Sequence, residues 1–187
     1  MDLRTVIDLQ TYEMIVREAP KWYVCPIYKV TFEEEGVYQA IVADNILEFA
    51  PGLERVLVPG AAPGVDFLRQ LPTAGSGRDI WGVYLLLLEK AGCCPRIYIG
   101  SGTSSRGLNA RFKEYDVGKN IPRFVASSVK DGYTITHRTL LCWCPVPHEN
   151  VAPRARLRFV AVEALFCLLF HASAATVMDD IWSDLCV

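Results

Sequence analysis

An unbroken apolar run, Trp81 to Leu88, is the feature that most constrains how this chain can fold. Such a short run, bounded by turn-forming residues, is typical of a strand whose two faces are both buried. Gly92 to Pro95 is a predicted turn after it, and Arg96 to Gly100 is a predicted second strand. The two strands are therefore expected to pair as an antiparallel hairpin.

The residues after the hairpin predict helices and one further strand. Asp131-Gly132 is a turn signal that separates the last predicted strand from the helices before it. The expected fold class is α/β of the α+β kind, with a small three-stranded antiparallel sheet flanked by helices. The predicted helices are Leu108–Val117, Pro122–Lys130, Arg154–Ala172 and a short one at Thr176–Leu185, and the third strand is Tyr133–Trp143.

Residues 1–77 are predicted to form an extension to a main domain of residues 78–187. The extension is expected to contain an N-terminal helix, a β-hairpin and a linker, with the domain boundary near Gly77. The linker prediction rests on nine prolines and glycines between residues 51 and 77. The predicted helix is Leu3–Glu18, ended by Pro20, and the predicted hairpin strands are Trp22–Phe32 and Val37–Val42.

Composition narrows the class of protein. A hydrophobic fraction of 51% argues against a disordered chain, and the N-terminus lacks the basic and apolar regions of a secretory signal. The apolar segment Phe159–Ala175 is 17 residues long and contains Glu163 and His171. A bilayer helix needs about 20 apolar residues, so this segment is interpreted as a buried helix and no membrane contact is expected.

The seven cysteines show no regular spacing, and their number is odd. Both facts argue against a secreted disulfide scaffold and favour reduced thiols. We therefore expect an intracellular protein, in the nucleus or the cytoplasm. Cys142-x-Cys144 with His148 nearby could be half of a zinc site, but its spacing is tight and no second pair fits.

Charge is strongly segregated along the chain, although the net charge is only −2. Residues 96–158 contain 11 basic and 4 acidic side chains, a net of +7, whereas residues 1–95 have a net charge of −5. Binding to phosphate depends on local positive potential, so the basic block is where a polyanion would dock. The alternative is that these residues are solvated helix faces. The acidic N-terminal part is expected to bind a protein partner or to form a homodimer.

Two short motifs lie on the predicted hairpin, namely Gly82-Val83-Tyr84 and Tyr98-Ile99-Gly100, with their tyrosines 14 residues apart. Ser101-Gly102 continues the second motif, Arg111 lies on the next predicted helix, and Glu163 lies in the later apolar helix. In this order the residues resemble the GIY-YIG nuclease family, over residues 79–175. A second GVY triplet, Gly36 to Tyr38, has no such continuation, and Tyr38 is expected to be a core aromatic.

The resemblance implies a DNA endonuclease that hydrolyses phosphodiester bonds with one metal ion, Mg²⁺ or Mn²⁺, and a tyrosine that assists water activation. Glu163 would be the sole protein ligand of the metal, and either Tyr84 or Tyr98 would activate the water. The implied catalytic residues are Tyr84, Tyr98, Arg111, Tyr115 and Glu163. The residues expected to contact nucleic acid are Gly100, Ser101, Arg106, Lys113, Lys119, Arg123, Arg154 and Arg158.

Physical arguments support two of these assignments. Positions i and i+4 share one face of a helix, so Arg111 and Tyr115 can point at the same phosphate. Arg106, at the start of that helix, competes with Arg111 and is given a lesser role in phosphate binding. Glu163 lies in a nearly all-apolar helix, where an unpaired carboxylate is strongly disfavoured, so a metal or a basic partner must compensate it.

Three alternatives stay open at this point. Glu163 could be paired with an arginine of the basic block, and each tyrosine could be a core aromatic with its hydroxyl at the rim. The whole domain could be a catalytically silent GIY-YIG fold that binds nucleic acid or a protein. The joint presence of tyrosines, arginine and glutamate favours the enzyme.

Overall fold

The computed structural model describes residues 2–14, 31–32, 34–57, 63–73 and 79–172. These residues form a mixed α/β structure with one four-stranded antiparallel sheet. In chain order the elements are α1 (Leu3–Glu13), α2 (Glu35–Asp44), β1 (Glu48–Phe49), α3 (Leu53–Leu57), α4 (Val65–Gln70), β2 (Ile80–Glu89), β3 (Arg96–Gly102), α5 (Leu108–Asp116), α6 (Arg123–Lys130), β4 (Thr134–Pro145) and α7 (Ala152–Leu169).

The sheet has the strand order β1-β4-β2-β3, so β3 forms one edge and the short β1 forms the other. Strand β2 pairs with β3 on one side and with β4 on the other, and its residues are buried from Ile80 to Leu88. The prediction of a doubly buried strand in an antiparallel hairpin is therefore confirmed. A strand between two partners and two helical layers requires the unbroken apolar run that the sequence shows.

Helices cover both faces of the sheet. One face presents Tyr84 and Leu86 to a core shared with α5 and α6, which contribute Phe112 and Val125. The other face packs against α1, α2 and α7 in a second and larger core. Residues of β2 alternate between the two cores because successive side chains point to opposite faces of a strand. The larger core includes Ile7, Tyr38, Trp81, Val83, Leu85, Phe159, Val162 and Phe166.

Two predictions about strands are wrong. The sheet has four strands rather than three, because Glu48 and Phe49 pair with Trp143 and Cys142. The predicted N-terminal hairpin is also wrong, since Val37–Val42 lies within α2. Tyr38 and Ile41, three residues apart, share one face of α2 and are both buried, so tertiary packing overrides the β-branched composition of this segment.

The Pro/Gly-rich stretch is less irregular than predicted, because it contains α3 and α4 and a β-bridge between Thr73 and Thr139. Several predicted features lie outside the described residues: the end of the first helix near Pro20, most of Trp22–Phe32, the boundary near Gly77, and the helix at Thr176–Leu185. The helices predicted after the hairpin are found as α5, α6 and α7, and the predicted strand between them is β4.

A buried ion pair joins the N-terminal helix to α7. The Arg158 guanidinium donates to the Asp8 carboxylate at 2.7 Å and to the backbone oxygen of Asn45 at 2.6 Å. Arg158 is only 1% exposed. The prediction that Arg158 contacts nucleic acid is therefore wrong, since its charge is neutralised inside the core. Tyr38, expected to be a core aromatic, is fully buried and donates its hydroxyl to the backbone oxygen of Asp8.

The cysteines differ in state and surroundings. Cys142 and Cys144 are buried in the larger core, and burial raises the pKa of the Cys142 thiol to about 12. Cys94 is disulfide-bonded, so the expectation that the thiols are all reduced is wrong for this residue.

Across the described ranges, no three His, Cys, Asp or Glu side chains are grouped closely enough to hold a metal. No helix in these ranges is long and apolar enough to cross a membrane.

Candidate active site

The predicted catalytic residues meet near the open edge of the sheet, where β2 and β3 lie beside α5 and α7. Tyr84 is paired with Gly100 and Leu86 with Tyr98, so both tyrosines project from the same sheet face. Their ring centroids are 6.4 Å apart. Tyr84 is buried, whereas Tyr98 on the edge strand is half-buried. The two motifs therefore place one enclosed and one more accessible phenol side by side.

Helix α5 brings Arg111 and Tyr115 to these phenols. The Tyr84 and Tyr115 hydroxyls are 2.8 Å apart, and the Arg111 guanidinium donates to both at 3.4 Å. The guanidinium also lies over the Tyr115 ring, with its carbon 4.8 Å from the ring centroid. The expected i and i+4 pairing on one helix face is therefore confirmed, and three side chains from two elements form one hydrogen-bonded group.

Glu114 is a member of the site that sequence reasoning missed. Its carboxylate accepts a hydrogen bond from Arg111 at 2.7 Å and a second one from the Asn120 side chain at 3.2 Å. The hydrogen bond from Arg111 is the main reason why the pKa of Glu114 is lowered. Glu114 could have been predicted from the sequence, because it follows Arg111 by three residues and i and i+3 residues are neighbours on a helix.

Glu163 reaches the site from α7. Its half-buried carboxylate lies near Ser101, whose hydroxyl and backbone N–H both act to lower its pKa. Burial raises the pKa of Glu163, and the hydrogen bonds from Ser101 and the charge of Arg111 lower it only in part. Among the described residues, Glu163 forms no ion pair within 4.0 Å. The alternative that an arginine of the basic block neutralises it by direct contact is therefore not found in the described part of the chain.

The phenols of the site are all protonated at neutral pH. Burial is the main cause that raises the pKa values of Tyr84, Tyr98 and Tyr115. For Tyr98 the nearby Tyr115 and Glu163 add to the rise, whereas the positive charge of Arg111 opposes it. The charge or hydrogen bonds of Arg111 favour ionisation of all three phenols.

The predicted nucleic-acid contacts other than Arg158 fall into two groups: two residues of β3 that lie in the site, and five basic residues on the surface. Gly100 is buried, and its missing side chain leaves room for Tyr84, whereas Ser101 faces Glu163. Arg106 is exposed, and so are the other basic residues of the second group. Lys113 is two residues from Arg111, about 200° around the helix, so it points away from the tyrosines. The exposed basic residues of this group are Arg106, Lys113, Lys119, Arg123 and Arg154.

Gly100→Ala is expected to destabilise the protein by about 1–3 kcal/mol, because overpacking a filled core forces side chains to shift. The added carbon would lie 2.7 Å from the Tyr84 hydroxyl oxygen. Gly36→Ala is the matched control, since no atom lies within 4 Å of its added carbon and Gly36 is helical. Urea unfolding measures both, and equal stability of Gly100→Ala and wild type would contradict the tight fit around Tyr84.

No protein-family model, no curated protein and no solved structure matches this chain. The likeness to the GIY-YIG nucleases therefore rests on the residues described above and on their placement.

Proposed function

We propose that this protein is a metal-dependent DNA endonuclease that hydrolyses phosphodiester bonds by a one-metal mechanism of the GIY-YIG type. The observation that supports it best is the convergence of Tyr84, Tyr98, Arg111, Tyr115 and Glu163 from four separate elements. Perturbed ionisable groups that cluster at one place are characteristic of functional sites. A core that needed only apolar packing would gain nothing from this arrangement.

The residues fit a hard divalent cation. Glu163 supplies a carboxylate oxygen, and its raised pKa shows that burial penalises its negative charge. A bound cation would relieve this penalty, and Mg²⁺ or Mn²⁺ is commonly held by one or two carboxylates while it keeps several waters. Glu163 would be the ligand from the protein. When bound, the metal would polarise the phosphate and stabilise the leaving oxygen.

Arg111 would stabilise the charge that builds up on the phosphate oxygens. Its guanidinium is held by Tyr84, Tyr115 and Glu114 before any substrate arrives. Donors that are fixed in advance stabilise a transition state without reorganisation during the reaction. The planar guanidinium can also contact two oxygens of one phosphate at once.

Tyr98 is the better candidate for activating the attacking water. The hydroxyl of Tyr84 is enclosed and already bonded to Tyr115 and Arg111, so Tyr84 is suited to positioning the arginine. Tyr98 is more accessible, and its phenol is electrostatically coupled to both Glu163 and Arg111. Because Tyr98 is protonated at neutral pH, it would first release its own proton to solvent. As a phenolate favoured by the charge of Arg111, it would then orient the water and take its proton.

The proposal is tested by incubating the purified protein with labelled duplex, flap, four-way-junction and single-stranded DNAs in Mg²⁺, in Mn²⁺ and in EDTA. The same panel is run with Glu163→Ala. We expect cleavage of at least one DNA by the wild type in the presence of metal, and no cleavage by the variant or in EDTA.

Binding of these DNAs without cleavage by the wild type in either metal would refute the nuclease and favour a binding scaffold. Cleavage that survives Glu163→Ala would show that the activity arises elsewhere or from a contaminant, and would also count against the proposed site.

A further inference from the structure

The loop between β3 and α5, residues 103–107, is held by hydrogen bonds beside the proposed catalytic cluster. The backbone oxygen of Ser104 accepts hydrogen bonds from the Trp81 indole at 2.7 Å and from the Gly107 backbone N–H at 2.9 Å. The Ser104 hydroxyl accepts a third from the backbone N–H of Arg106 at 3.1 Å. The loop is therefore fixed in place before any ligand binds.

Arg156, which the sequence offered either as a contact to the DNA backbone or as part of a solvated helix end, lies against this loop. Its guanidinium donates to the Thr103 backbone oxygen at 3.1 Å and lies over the Trp81 ring, with its carbon 5.5 Å from the ring centroid. Arg156 is nevertheless exposed. Of its five N–H donors, one is used in the hydrogen bonds found among the described residues, so others can meet a phosphate.

Arg156 and Glu163 lie on the same side of α7, since seven residues are about two helical turns. The distance between them along the helix axis is therefore about 10 Å, at 1.5 Å per residue. Their side chains reach Thr103 and Ser101, which are two residues, or about 7 Å, apart on an extended segment. Because a strand carries one phosphate per about 3.4 Å of duplex axis, Arg156 would meet a phosphate about two to three nucleotides from the cut one.

Arg106 is part of this loop and provides a second exposed charge. Its positive charge is among the influences that lower the pKa of Glu114. Arg106 therefore lies near the Arg111–Glu114 pair, whereas Arg156 lies on α7. Two exposed guanidinium groups are thus found at one end of the cluster, one in the loop and one on α7.

We propose that Arg156, held against the loop 103–107, binds a backbone phosphate that flanks the cut one and so positions the DNA strand in the proposed site. This inference rests on the proposed function and adds a positioning residue to it. Arg156 is a positioning residue because it contacts the strand away from the reacting atoms. Its contribution should therefore grow with the length of the substrate.

The test uses Arg156→Gln, with Arg156→Lys as the conservative variant and Arg55→Gln as the matched control. Arg55 is an exposed arginine on α3, which follows the opposite sheet edge. Binding of a labelled 20-base-pair duplex is measured by fluorescence anisotropy in EDTA over a range of salt concentrations. Cleavage is measured on the same duplex and on bis(p-nitrophenyl) phosphate, a small phosphodiester.

We expect Arg156→Gln to reduce the slope of log affinity against log salt by about 1, because one phosphate contact is lost. Its kcat/KM for the duplex should fall about tenfold, the size of one lost charge-assisted hydrogen bond, while its rate on the small phosphodiester stays unchanged. Arg156→Lys should keep the salt slope, and Arg55→Gln should behave like the wild type.

An unchanged salt slope and affinity in Arg156→Gln would overturn the proposed phosphate contact even if the wild type cleaves DNA well. Equal losses on the duplex and on the small phosphodiester would also overturn it, because they would indicate damage to the catalytic cluster. Failure of the wild type to cleave any DNA would refute the nuclease, and the salt slope would still decide whether Arg156 binds phosphate.

Discussion

The Arg111→Ala variant is expected to cleave DNA about 10²- to 10³-fold more slowly than the wild type, the usual cost of removing one fixed donor from a transition state. Arg111 is held by two tyrosine hydroxyls and by Glu114, which indicates that its orientation matters. The loss should appear mainly in kcat, because the interaction strengthens as negative charge builds up on the phosphate.

Two further variants sharpen this prediction. Arg111→Lys should restore little activity, since an ammonium group lacks the planar fork that contacts two oxygens together. Lys113→Ala removes a positive charge from the same helix but from the side that faces away from the tyrosines, and it should change kcat by less than about threefold. Equal effects of Arg111→Ala and Lys113→Ala would mean that Arg111 acts only as a diffuse charge.

The second large effect is expected in stability rather than in activity. Arg158→Met should lower the free energy of unfolding by about 3–5 kcal/mol, because it leaves Asp8 as an uncompensated buried charge. The pair joins α1 to α7, and Arg158 also donates to the backbone oxygen of Asn45, so three segments lose a partner together. Urea unfolding at neutral pH measures the change.

Arg154→Met is the matched control, since Arg154 is exposed in the first turn of the same helix. It should alter the stability by less than about 0.5 kcal/mol, as is usual for surface substitutions. The double variant Asp8→Leu/Arg158→Met should recover most of the loss, because apolar groups of similar size can replace a buried ion pair. A single Arg158→Met variant as stable as the control would contradict the buried pair.

Sequence patterns predicted the part of the fold that surrounds the site. The run from Trp81 to Leu88 identified β2 because a strand covered on both faces must be apolar throughout. Helix α5 was also predicted, and the i and i+4 spacing of Arg111 and Tyr115 predicted that these two residues share one helix face. These features are local, so a short window of sequence contains the information.

What failed depended on contacts between distant parts of the chain. Strand β1 has two residues, too few to show any alternation, and it exists because β4 offers it a partner. Val37–Val42 has the composition of a strand but becomes helical as Tyr38 and Ile41 enter the larger core. Arg158 looked like a surface charge because its partner, Asp8, lies 150 residues away in the chain.

Glu163 lies between these two cases. Its apolar surroundings indicated that something must compensate its charge, but not what. The structure places Ser101 against it and, among the described residues, no arginine in direct contact.

Burial raises the pKa of Glu163 in the folded protein. Ionisation of Glu163 therefore lowers the stability of the folded protein as pH rises above the pKa in the unfolded state, about 4.3. Glu163→Gln should therefore melt no lower than the wild type at neutral pH.

The most direct test of the proposed nuclease is the single-turnover rate of DNA cleavage by wild type and Glu163→Gln over a range of Mn²⁺ concentrations. Glu149→Gln, an exposed carboxylate in the loop before α7, is the control. We predict that Glu163→Gln binds DNA and melts like the wild type but cleaves at least about 10³-fold more slowly, a loss of about 4 kcal/mol. Cleavage by Glu163→Gln at a rate close to that of Glu149→Gln at every Mn²⁺ concentration would contradict the proposed site.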